Sequence, residues 1–573
     1  MESITLAVVG SGGAGVISLG EMILKSAASL GYFGLMRKSF GPQIRGGESA
    51  AILRLGPQPI SNFTQDIHCL LVLDWNNFSR FGDEILLTSH TQIVQDQMAG
   101  AAPENITTEI LTVDFSGAAA KAGSDKANMA MLGYVGAWLG CSTDTMANMI
   151  RQRLARLSAE LQAISIAAME QGVLLAGEHK PALSLPQPGT PLAEPWIATG
   201  NQLAGLGALE AGVRFVAAYP ITPASDCLEW IANHIESVNG HLVQAEDELA
   251  AMNMIIGGGY AGVPSMTATS GPGLSLMSEA MGLAVSSETP VVVLNVMRGG
   301  PSTGIPTKSE QSDLNFALYG MHGDAPHIVL SALSIPDCFH TMAWATHLAT
   351  SLQTLVIVLS DQFIGQSTQI MAPVATVPYQ AQLARPDPEQ AKDYARYQLS
   401  ESGVSLMAVP GDEGCMYTAD GLEHTEHAVP SPKAGDHEAQ LAKRARKLND
   451  HQFGRDWAEV RGEGDTVIIC WGSLFSSVLE AQQLLVEQEL PVRVVGLRLL
   501  MPLPADELVK TCENARRILV VEQNHQGQCV NYLRSLNLPN LQFHSYARPG
   551  PRLITPAEIA AEVLSMQPSA ETK

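Results

Sequence analysis

The chain has few cysteines and few basic residues for its length. Its eight cysteines lie far apart and form no CxxC pair, which excludes a local zinc or iron–sulfur knuckle and predicts reduced, mostly buried thiols. Lysine and arginine number 34 against 57 acids, and the resulting net charge of −23 argues against nucleic acid or an anionic membrane as the main partner.

Long apolar runs are also missing. No run approaches the roughly 18 residues of a membrane span, and the start MESITLAVVGSGGAG lacks the basic segment and apolar core of a signal peptide. We therefore expect a cytoplasmic protein. Since 46% of the 573 residues are hydrophobic and only 16% are charged, the chain should be globular, with about three or four domains.

Short β-rich runs alternate with helical ones along most of the sequence. This alternation is typical of parallel sheets covered by helices, and it predicts an α/β fold with three parallel-sheet domains. The predicted segments are a first domain (1–185), a proline-rich linker (186–196), a central domain (197–375), an extended arm (376–462) and a C-terminal domain (463–573).

Three glycines near the start, Gly10, Gly12 and Gly15, match the GxGxxG pattern of dinucleotide-binding turns. That pattern expects a ribose-binding acid about 20 residues later, but the sequence there is GYFGLMRKSFG, without an acid. We therefore interpret the glycines as packing a strand–turn–helix unit. A nucleotide-binding regulatory protein stays open as the alternative from another functional class.

Polar residues gather where strands of the predicted central domain end. Open parallel sheets bind ligands outside the carboxyl ends of their strands. The loops that follow three such strands are therefore predicted to meet around one small anionic molecule, and they carry Thr222, Ser270, Arg298, Thr307 and Lys308.

The stretch QAEDELAAMNMIIGGGYAG (244–262) places acids before an uncharged helix. Glu248 shares a helical face with Met252, Ile255 and Gly259, so its carboxylate would face packing and would need a partner or a proton. The alternative is a first-turn acid that the helix dipole stabilises. Glycine costs roughly 1 kcal/mol relative to alanine inside a helix, so residues 257–259 indicate a close approach to neighbouring elements.

Several of these motifs together resemble one protein family, the 2-oxoacid:ferredoxin oxidoreductases. The N-terminal glycines and KSFGPQIRGGES (38–49) resemble the family's gamma domain, fused here ahead of alpha, and residues 465–573 resemble its transketolase C-terminal-type domain. The order resembles the two-subunit 2-oxoglutarate:ferredoxin oxidoreductase type. The motifs that resemble the alpha subunit are YPITPASD (219–226), QAEDELAA (244–251), TATSGPG (267–273) and RGGPSTGIPTKSEQSDL (298–314).

The resemblance implies thiamine diphosphate chemistry, with residues 197–375 as the pyrimidine-binding domain. A 2-oxoacid would be decarboxylated oxidatively, CoA would take the acyl group and ferredoxin the electrons. With 2-oxoglutarate the product would be succinyl-CoA. Pyruvate, or several 2-oxoacids handled by one enzyme, are the alternatives.

The sequence contains no GDG motif, which such enzymes use to hold diphosphate through Mg²⁺. The resemblance therefore implies a beta subunit that carries the diphosphate site, Mg²⁺ and a 4Fe–4S cluster. The chain alone would be inactive, and an (alpha-beta)2 heterotetramer is expected.

The resemblance also implies roles for individual residues. Glu248 would hydrogen-bond N1′ of the cofactor's aminopyrimidine and so help to remove the C2 proton. Pro220, Ser270 and Gly271 would be further cofactor contacts.

Substrate contacts are implied at five positions. Thr222 and Arg298 would bind the 2-oxo carboxylate, because a planar guanidinium suits a carboxylate. Thr307 and Lys308 would tune side-chain specificity, and Lys308 or Arg45 would supply a cation for a second carboxylate. Lys308 could equally be a solvated loop lysine, and Arg45 could contact CoA.

Two further groups of polar residues invite a functional interpretation. Glu522, Asn524 and His525 follow a predicted strand, and we interpret them as capping or interface residues rather than catalytic ones. His424 and His427 suggest a metal site, but their charged surroundings favour a solvated arm.

Overall fold

The computed structural model describes residues 2–41, 47–64, 66–179 and 181–566. It divides into two compact units: Met1–Thr199 with Gln366–Val374, and Gly200–Gly365 with Ala375–Lys573. No helix in these described ranges combines the length and the apolar composition needed to cross a membrane. All eight cysteines are buried and unpaired, which confirms the predicted buried thiols.

The described residues form the following elements. The strands are β1 (Ile4–Gly10), β2 (Phe33–Phe40), β3 (Ser49–Gly56), β4 (Cys69–Val72), β5 (Gln92–Asp96), β6 (Ile110–Val113), β7 (Trp196–Thr199), β8 (Phe215–Ala218), β9 (His241–Gln244), β10 (Ser265–Thr269), β11 (Val291–Met297), β12 (Ile328–Ser331), β13 (Leu355–Asp361), β14 (Thr368–Met371), β15 (Ala458–Arg461), β16 (Thr466–Trp471), β17 (Val492–Leu497), β18 (Leu499–Met501), β19 (Arg517–Glu522) and β20 (Phe543–Ala547). The α-helices are α1 (Val16–Ser29), α2 (Phe115–Lys121), α3 (Ala127–Leu139), α4 (Thr143–Arg153), α5 (Ala159–Glu178), α6 (Gly200–Glu210), α7 (Ser225–Ala232), α8 (Glu248–Tyr260), α9 (Gly271–Leu276), α10 (Ser278–Ser286), α11 (Leu314–Tyr319), α12 (Asp337–Leu352), α13 (Gln362–Gln366), α14 (Ala434–Asn449), α15 (Leu474–Val486), α16 (Ala505–Thr511), α17 (Gln528–Ser535) and α18 (Pro556–Ser565).

The first unit is built on one mixed sheet of eight strands, in the order β6-β5-β4-β1-β3-β2-β14-β7. The pairs from β6 to β1 are parallel, and those from β1 to β7 are antiparallel. The predicted boundaries put residues 196–199 in the linker and central domain, and 368–371 in the central domain. Instead, both four-residue segments lie at the β2 edge of this sheet, where their backbone groups are paired.

The glycine-rich turn of the first unit joins β1 to α1. Gly15 has φ 80°, and a side chain there would collide with Asn128. The Ser11 amide and hydroxyl donate to Asp74 over 2.6 and 2.7 Å, so the carboxylate after β4 holds this turn in place. The structure supports the interpretation of the glycines as packing residues.

The second unit contains two sheets. The central sheet has the order β18-β12-β13-β11-β10-β8-β9, and all its pairs are parallel except β18 with β12. The third sheet has the order β15-β17-β16-β19-β20, and only β15 is antiparallel to its neighbour. Three α/β sheets, two of them mostly parallel, confirm the predicted α/β class. The first sheet departs from the expected parallel pairing, because four of its seven strand pairs are antiparallel. The strand β18 of the C-terminal segment completes the central sheet.

The predicted arm contains a long helix, α14, which was expected only as a charged surface segment. Lys443 and Lys447 of α14 are buried and donate to the carboxylate of Glu288 over 2.6 and 2.9 Å. Arg396 donates to the Glu288 carbonyl oxygen over 2.8 Å. Despite its burial, Glu288 has a pKa well below its ordinary value because of Lys447, Lys443 and Arg396. The basic face of α14 is therefore internal.

Glu288→Gln should destabilise the second unit strongly. The substitution leaves two buried ammonium groups without a counter-ion, which typically costs about 3–5 kcal/mol. Thermal unfolding of the chain should shift to clearly lower temperature. The matched change Glu389→Gln removes an exposed partner of Lys392 and should shift it little. Equal shifts in the two variants would contradict a structural role for the buried cluster.

Candidate active site

Three loops meet where parallel strands of the central sheet end. β8, β10 and β11 are neighbours, and they end at Ala218, Thr269 and Met297. Because the carboxyl ends of parallel strands share one edge of a sheet, the loops that follow lie together there. The predicted approach is seen for two of their residues: Nη1 of Arg298 donates to the Thr222 carbonyl oxygen over 2.5 Å.

Glu248 is the first residue of α8, and it is only 6% exposed. The N-cap is the preceding residue, Asp247, whose Oδ1 accepts from the Ala250 amide over 2.7 Å. Met252 and Ile255 on the same face are fully buried. Because Asp247 caps the helix, capping does not explain the burial of the Glu248 carboxylate.

A glycine makes room for that carboxylate. A Cβ on Gly273 would lie 2.7 Å from Oε1 of Glu248 and 2.8 Å from its Cγ, and it would collide with Oγ1 of Thr269. Ser270, at the start of the same turn, is fully buried, and its hydroxyl has no hydrogen-bond partner among the described residues. Buried polar atoms are nearly always paired, so this hydroxyl, on the turn whose Gly273 accommodates a buried carboxylate, indicates a ligand site.

The glycines of α8 serve packing at the other end of the helix. A Cβ on Gly258 would lie 2.8 Å from the ring of Phe215 in β8, and one on Gly259 would collide with the Pro290 carbonyl oxygen just before β11. At 1.5 Å per residue, Gly259 is about 16 Å along the axis from Glu248. The close approach is therefore helix-to-sheet packing, whereas a Cβ on Gly257 would meet nothing within 4 Å.

Alanine substitutions at Gly257 and Gly259 should change the stability of the chain in opposite directions. Gly259→Ala forces a methyl group against backbone and should destabilise the chain by about 1–3 kcal/mol. Gly257→Ala should stabilise it by about 1 kcal/mol, because the helix gains propensity without a clash. Thermal unfolding of the two variants should move in opposite directions. A shift of the same sign in both would mean that packing does not distinguish the two positions.

Arg298 follows β11 and is buried. Burial lowers the pKa of its guanidinium, and the neighbouring Asp313 opposes this effect. Nη1 of Arg298 makes the bond to Thr222, whereas Nε has no hydrogen-bond partner among the described residues. A buried guanidinium with an unused donor is suited to an incoming carboxylate.

A cleft of about 650 Å³ opens in front of Arg298. Its wall includes the start of α9 at Gly271 and Pro272, the loop after Arg298, and the loop after β19 at His525 and Gln526. The cleft lies within the second unit, and its size suits a small acid together with part of a cofactor.

Two acids line the cleft that the sequence analysis did not single out. Asp313 accepts from Nδ2 of Asn295 over 2.9 Å. Burial raises the pKa of Asp313, although the Asn295 hydrogen bond and the Arg298 charge oppose that rise. Burial and the charge of Asp313 raise the pKa of Glu310. Both acids belong to the quoted motif RGGPSTGIPTKSEQSDL, which was the only available signal.

The other predicted site residues lie at varying depth. Thr222 is half-buried and Pro220 is exposed. Thr307 is buried and Lys308 is half-buried, and the Lys308 carbonyl accepts from the Gly299 amide over 3.0 Å at the base of the loop. Among the described residues that line the cleft, Thr307 and Lys308 are both absent. The fifth substrate contact, Arg45, lies outside the described residues.

Glu522 and Asn524 have structural contacts. The fully buried Glu522 accepts from the amides of Cys529 and Val530 at the start of α17, over 2.7 and 3.0 Å. Asn524 donates to the Gln311 carbonyl oxygen over 3.2 Å. These bonds support the capping and interface interpretation for both residues, whereas His525 lines the cleft.

The interpretation of the arm as solvated is wrong at one of its histidines. His424 is buried and stacks on Tyr397 with 3.6 Å between ring centroids. Among the residues that the structure describes, no group of three or more histidine, cysteine or acidic side chains could hold a metal ion.

The edge of the central sheet fits the pyrimidine half of thiamine diphosphate. The fit rests on the buried Glu248 carboxylate, the side-chain-free position at Gly273 that accommodates it, and the unpaired Ser270 hydroxyl. A hydrogen-bonding heterocycle would satisfy such groups, whereas a purely apolar ligand would leave them unpaired.

Family models match most of the chain. "Pyruvate ferredoxin/flavodoxin oxidoreductase" matches residues 5–175, "Pyruvate flavodoxin/ferredoxin oxidoreductase, thiamine diP-binding" matches 206–443, and "Transketolase, C-terminal domain" matches 456–530. These matches agree with the three domains implied by the motifs.

Similar proteins carry related names. The chain is 30% identical to the 2-oxoacid:ferredoxin oxidoreductase 2, subunit alpha, of Aeropyrum pernix, over 93% of both chains. It is 33% identical to the 2-oxoglutarate oxidoreductase subunit KorA of Mycobacterium tuberculosis, over 75% of this chain and 67% of that one. These similarities confirm the resemblance that the motifs indicated.

One solved structure matches nearly the whole chain. It is the 2-oxoglutarate:ferredoxin oxidoreductase of Magnetococcus marinus, with 2-oxoglutarate, coenzyme A and succinyl-CoA bound. The TM-score is 0.90 at 33% identity, and 99% of each chain is covered.

Proposed function

The chain belongs to the 2-oxoacid:ferredoxin oxidoreductase alpha subunits, and we propose that it is the alpha subunit, with a fused gamma domain, of a 2-oxoglutarate:ferredoxin oxidoreductase. The reaction is 2-oxoglutarate + CoA + oxidised ferredoxin to succinyl-CoA + CO₂ + reduced ferredoxin. The observation that carries this proposal is the placement of a buried Glu248, which follows β9, and a buried Arg298, which follows β11, at the carboxyl ends of strands of the central sheet.

Glu248 acts on the cofactor's aminopyrimidine. Thiamine diphosphate, when bound, supplies the carbon nucleophile at C2 and the electron sink for decarboxylation. Glu248 would hold a proton at N1′ of the pyrimidine, and exclusion of water strengthens that hydrogen bond. Ser270, Gly271 and Pro220 would complete the cofactor contacts.

Arg298 and Thr222 orient the substrate carboxylate. The bond from Nη1 to the Thr222 carbonyl oxygen fixes the guanidinium plane, and the remaining donors are then available for a 2-oxo carboxylate. A second carboxylate, as in 2-oxoglutarate, requires another cation, which we assign to Lys308 or Arg45. The names of the Magnetococcus and Mycobacterium proteins support 2-oxoglutarate over pyruvate.

The site needs a second chain. The sequence has no GDG motif for diphosphate and Mg²⁺, so a beta subunit would bring both, together with a 4Fe–4S cluster that passes electrons to ferredoxin. Leu249 and Met254 on α8 are 49% and 40% exposed. They lie on the same side of the helix as Gly257, where an added Cβ would meet nothing within 4 Å. Exposed apolar side chains beside a half-built site support subunit contact there.

The test uses the chain co-expressed with its beta partner and purified without oxygen. CoA-dependent viologen reduction is followed with 2-oxoglutarate, pyruvate and 2-oxobutyrate. A strong preference for 2-oxoglutarate is expected, and equal rates would indicate a broad 2-oxoacid enzyme instead. Inactivity with all three, in a complex that holds thiamine diphosphate and its cluster, would contradict the substrate assignment.

A further inference from the structure

Asp313 occupies the N-cap position of α11, but its side chain does not cap that helix. Asp313 instead lines the cleft. It accepts from Asn295 of β11, and a Cβ on Gly271 would lie 2.9 Å from both of its oxygens. An Asp side chain is a preferred cap, so a half-buried Asp that makes no cap hydrogen bond indicates another use.

The carboxylate and the substrate-binding cation line the same cleft. Asp313 opposes the burial-induced fall in the pKa of Arg298, and Arg298 opposes the rise in that of Asp313, so the two charges stabilise each other. When ionised, Asp313 therefore gives the guanidinium a counter-charge within the cleft before any substrate arrives.

The proposed reaction changes the charge that faces Arg298. When the C1–C2 bond of the 2-oxoacid breaks, C1 leaves as uncharged CO₂. The electron pair stays on C2 and passes into the cofactor, from which ferredoxin finally takes two electrons. The substrate carboxylate that neutralised Arg298 is then gone, and an unpaired buried cation is costly.

We propose that Asp313 is a positioning residue that keeps Arg298 compensated throughout decarboxylation. This inference rests on the proposed function. With Asp313 in place, Arg298 binds the substrate carboxylate moderately and stays stable after CO₂ leaves. Without that charge, the guanidinium would hold the carboxylate too firmly, and tight binding of the ground state slows the step that removes it.

The test compares Asp313→Asn with the unaltered protein, both in complex with the beta subunit. The variant keeps the side-chain shape and the amide partner but loses the charge. KM for the preferred 2-oxoacid should fall, as should the inhibition constant of the matching acid without the 2-oxo group (glutarate for 2-oxoglutarate). Each should fall roughly three- to tenfold, as should kcat. Asp324→Asn makes the same change at an exposed position and should alter none of the three.

Acidification gives an independent readout. Protonation of Asp313 should make the unaltered complex resemble the variant, so glutarate inhibition should tighten as pH falls, and Asp313→Asn should lack this step. Arg298, Glu310 and His525 also line the cleft and are unaltered in the variant, so the comparison isolates the contribution of Asp313.

The outcomes separate the two proposals. Inactivity of the unaltered, loaded complex would count against the proposed function before any variant is compared. In an active complex, a raised KM in Asp313→Asn, or unchanged KM and kcat, would overturn the role of Asp313. If that variant does not assemble, the unaltered complex decides: a pH-independent inhibition constant would overturn the role, and tightening on acidification would support it.

Discussion

Glu248→Gln should abolish most turnover while leaving the chain folded and able to assemble with its partner. Positioned proton transfer typically contributes about 10²- to 10⁴-fold to a rate, so viologen reduction should fall by at least about 10²-fold. Glutamine matches the size of glutamate and can still hydrogen-bond, but it does not exchange a proton with N1′ of a pyrimidine.

The structure explains why folding should survive this change. The N-cap bond of α8 comes from Asp247, and the Glu248 carboxylate is buried beside Gly273 without being the cap. Glutamine has nearly the same size and leaves the N-cap bond in place, so the temperature of thermal unfolding should change little. Loss of activity with retained stability is the pattern of a functional residue.

Glu246→Gln is the matched control. Glu246 is exposed two residues earlier, so the same chemical change should alter neither activity nor assembly. Size-exclusion chromatography with the beta subunit would verify assembly of both variants. Activity near that of the unaltered complex in Glu248→Gln would remove Glu248 from the proposed mechanism.

Local sequence pattern indicates where strands end, but it does not indicate which distant segments pair in the first sheet. Loops at strand ends have a local signal, because a buried apolar run stops at glycine, proline and hydroxyl residues such as those after Thr269. Residues 368–371 carry no such signal, since their partners in β2 lie more than 300 positions away. Strand pairing at that distance depends on the folded units and not on local pattern.

Asp313 and the lysines of α14 show that local sequence pattern also fails to predict side-chain partners that are distant in the chain. An Asp before a short helix predicts a cap, and only the tertiary structure shows its carboxylate beside Asn295 instead. The lysines of α14 predict a solvated face, because the counter-ion Glu288 lies more than 150 positions earlier. In both cases a distant partner decides where the charge lies.

Arg298→Lys should also lower the activity of the enzyme strongly, but by weakening its binding of the substrate carboxylate. Lysine keeps the positive charge and loses the planar pair of donors, and also the bond that Nη1 makes with the Thr222 carbonyl oxygen. A hydrogen bond to a charged group contributes about 1.5–3 kcal/mol, so kcat/KM should fall roughly 10- to 150-fold.

Arg298→Ala removes the charge as well and should be more severe, because the half-buried Asp313 then loses the opposite charge in the cleft. Its steady-state kinetics should show a KM too high to saturate, or no turnover. Unchanged KM and kcat in either variant would show that the carboxylate binds elsewhere. Comparison with Asp313→Asn gives the sharpest result: adding that change to Arg298→Ala should no longer tighten glutarate inhibition, since a counter-charge has no effect once its cation is gone.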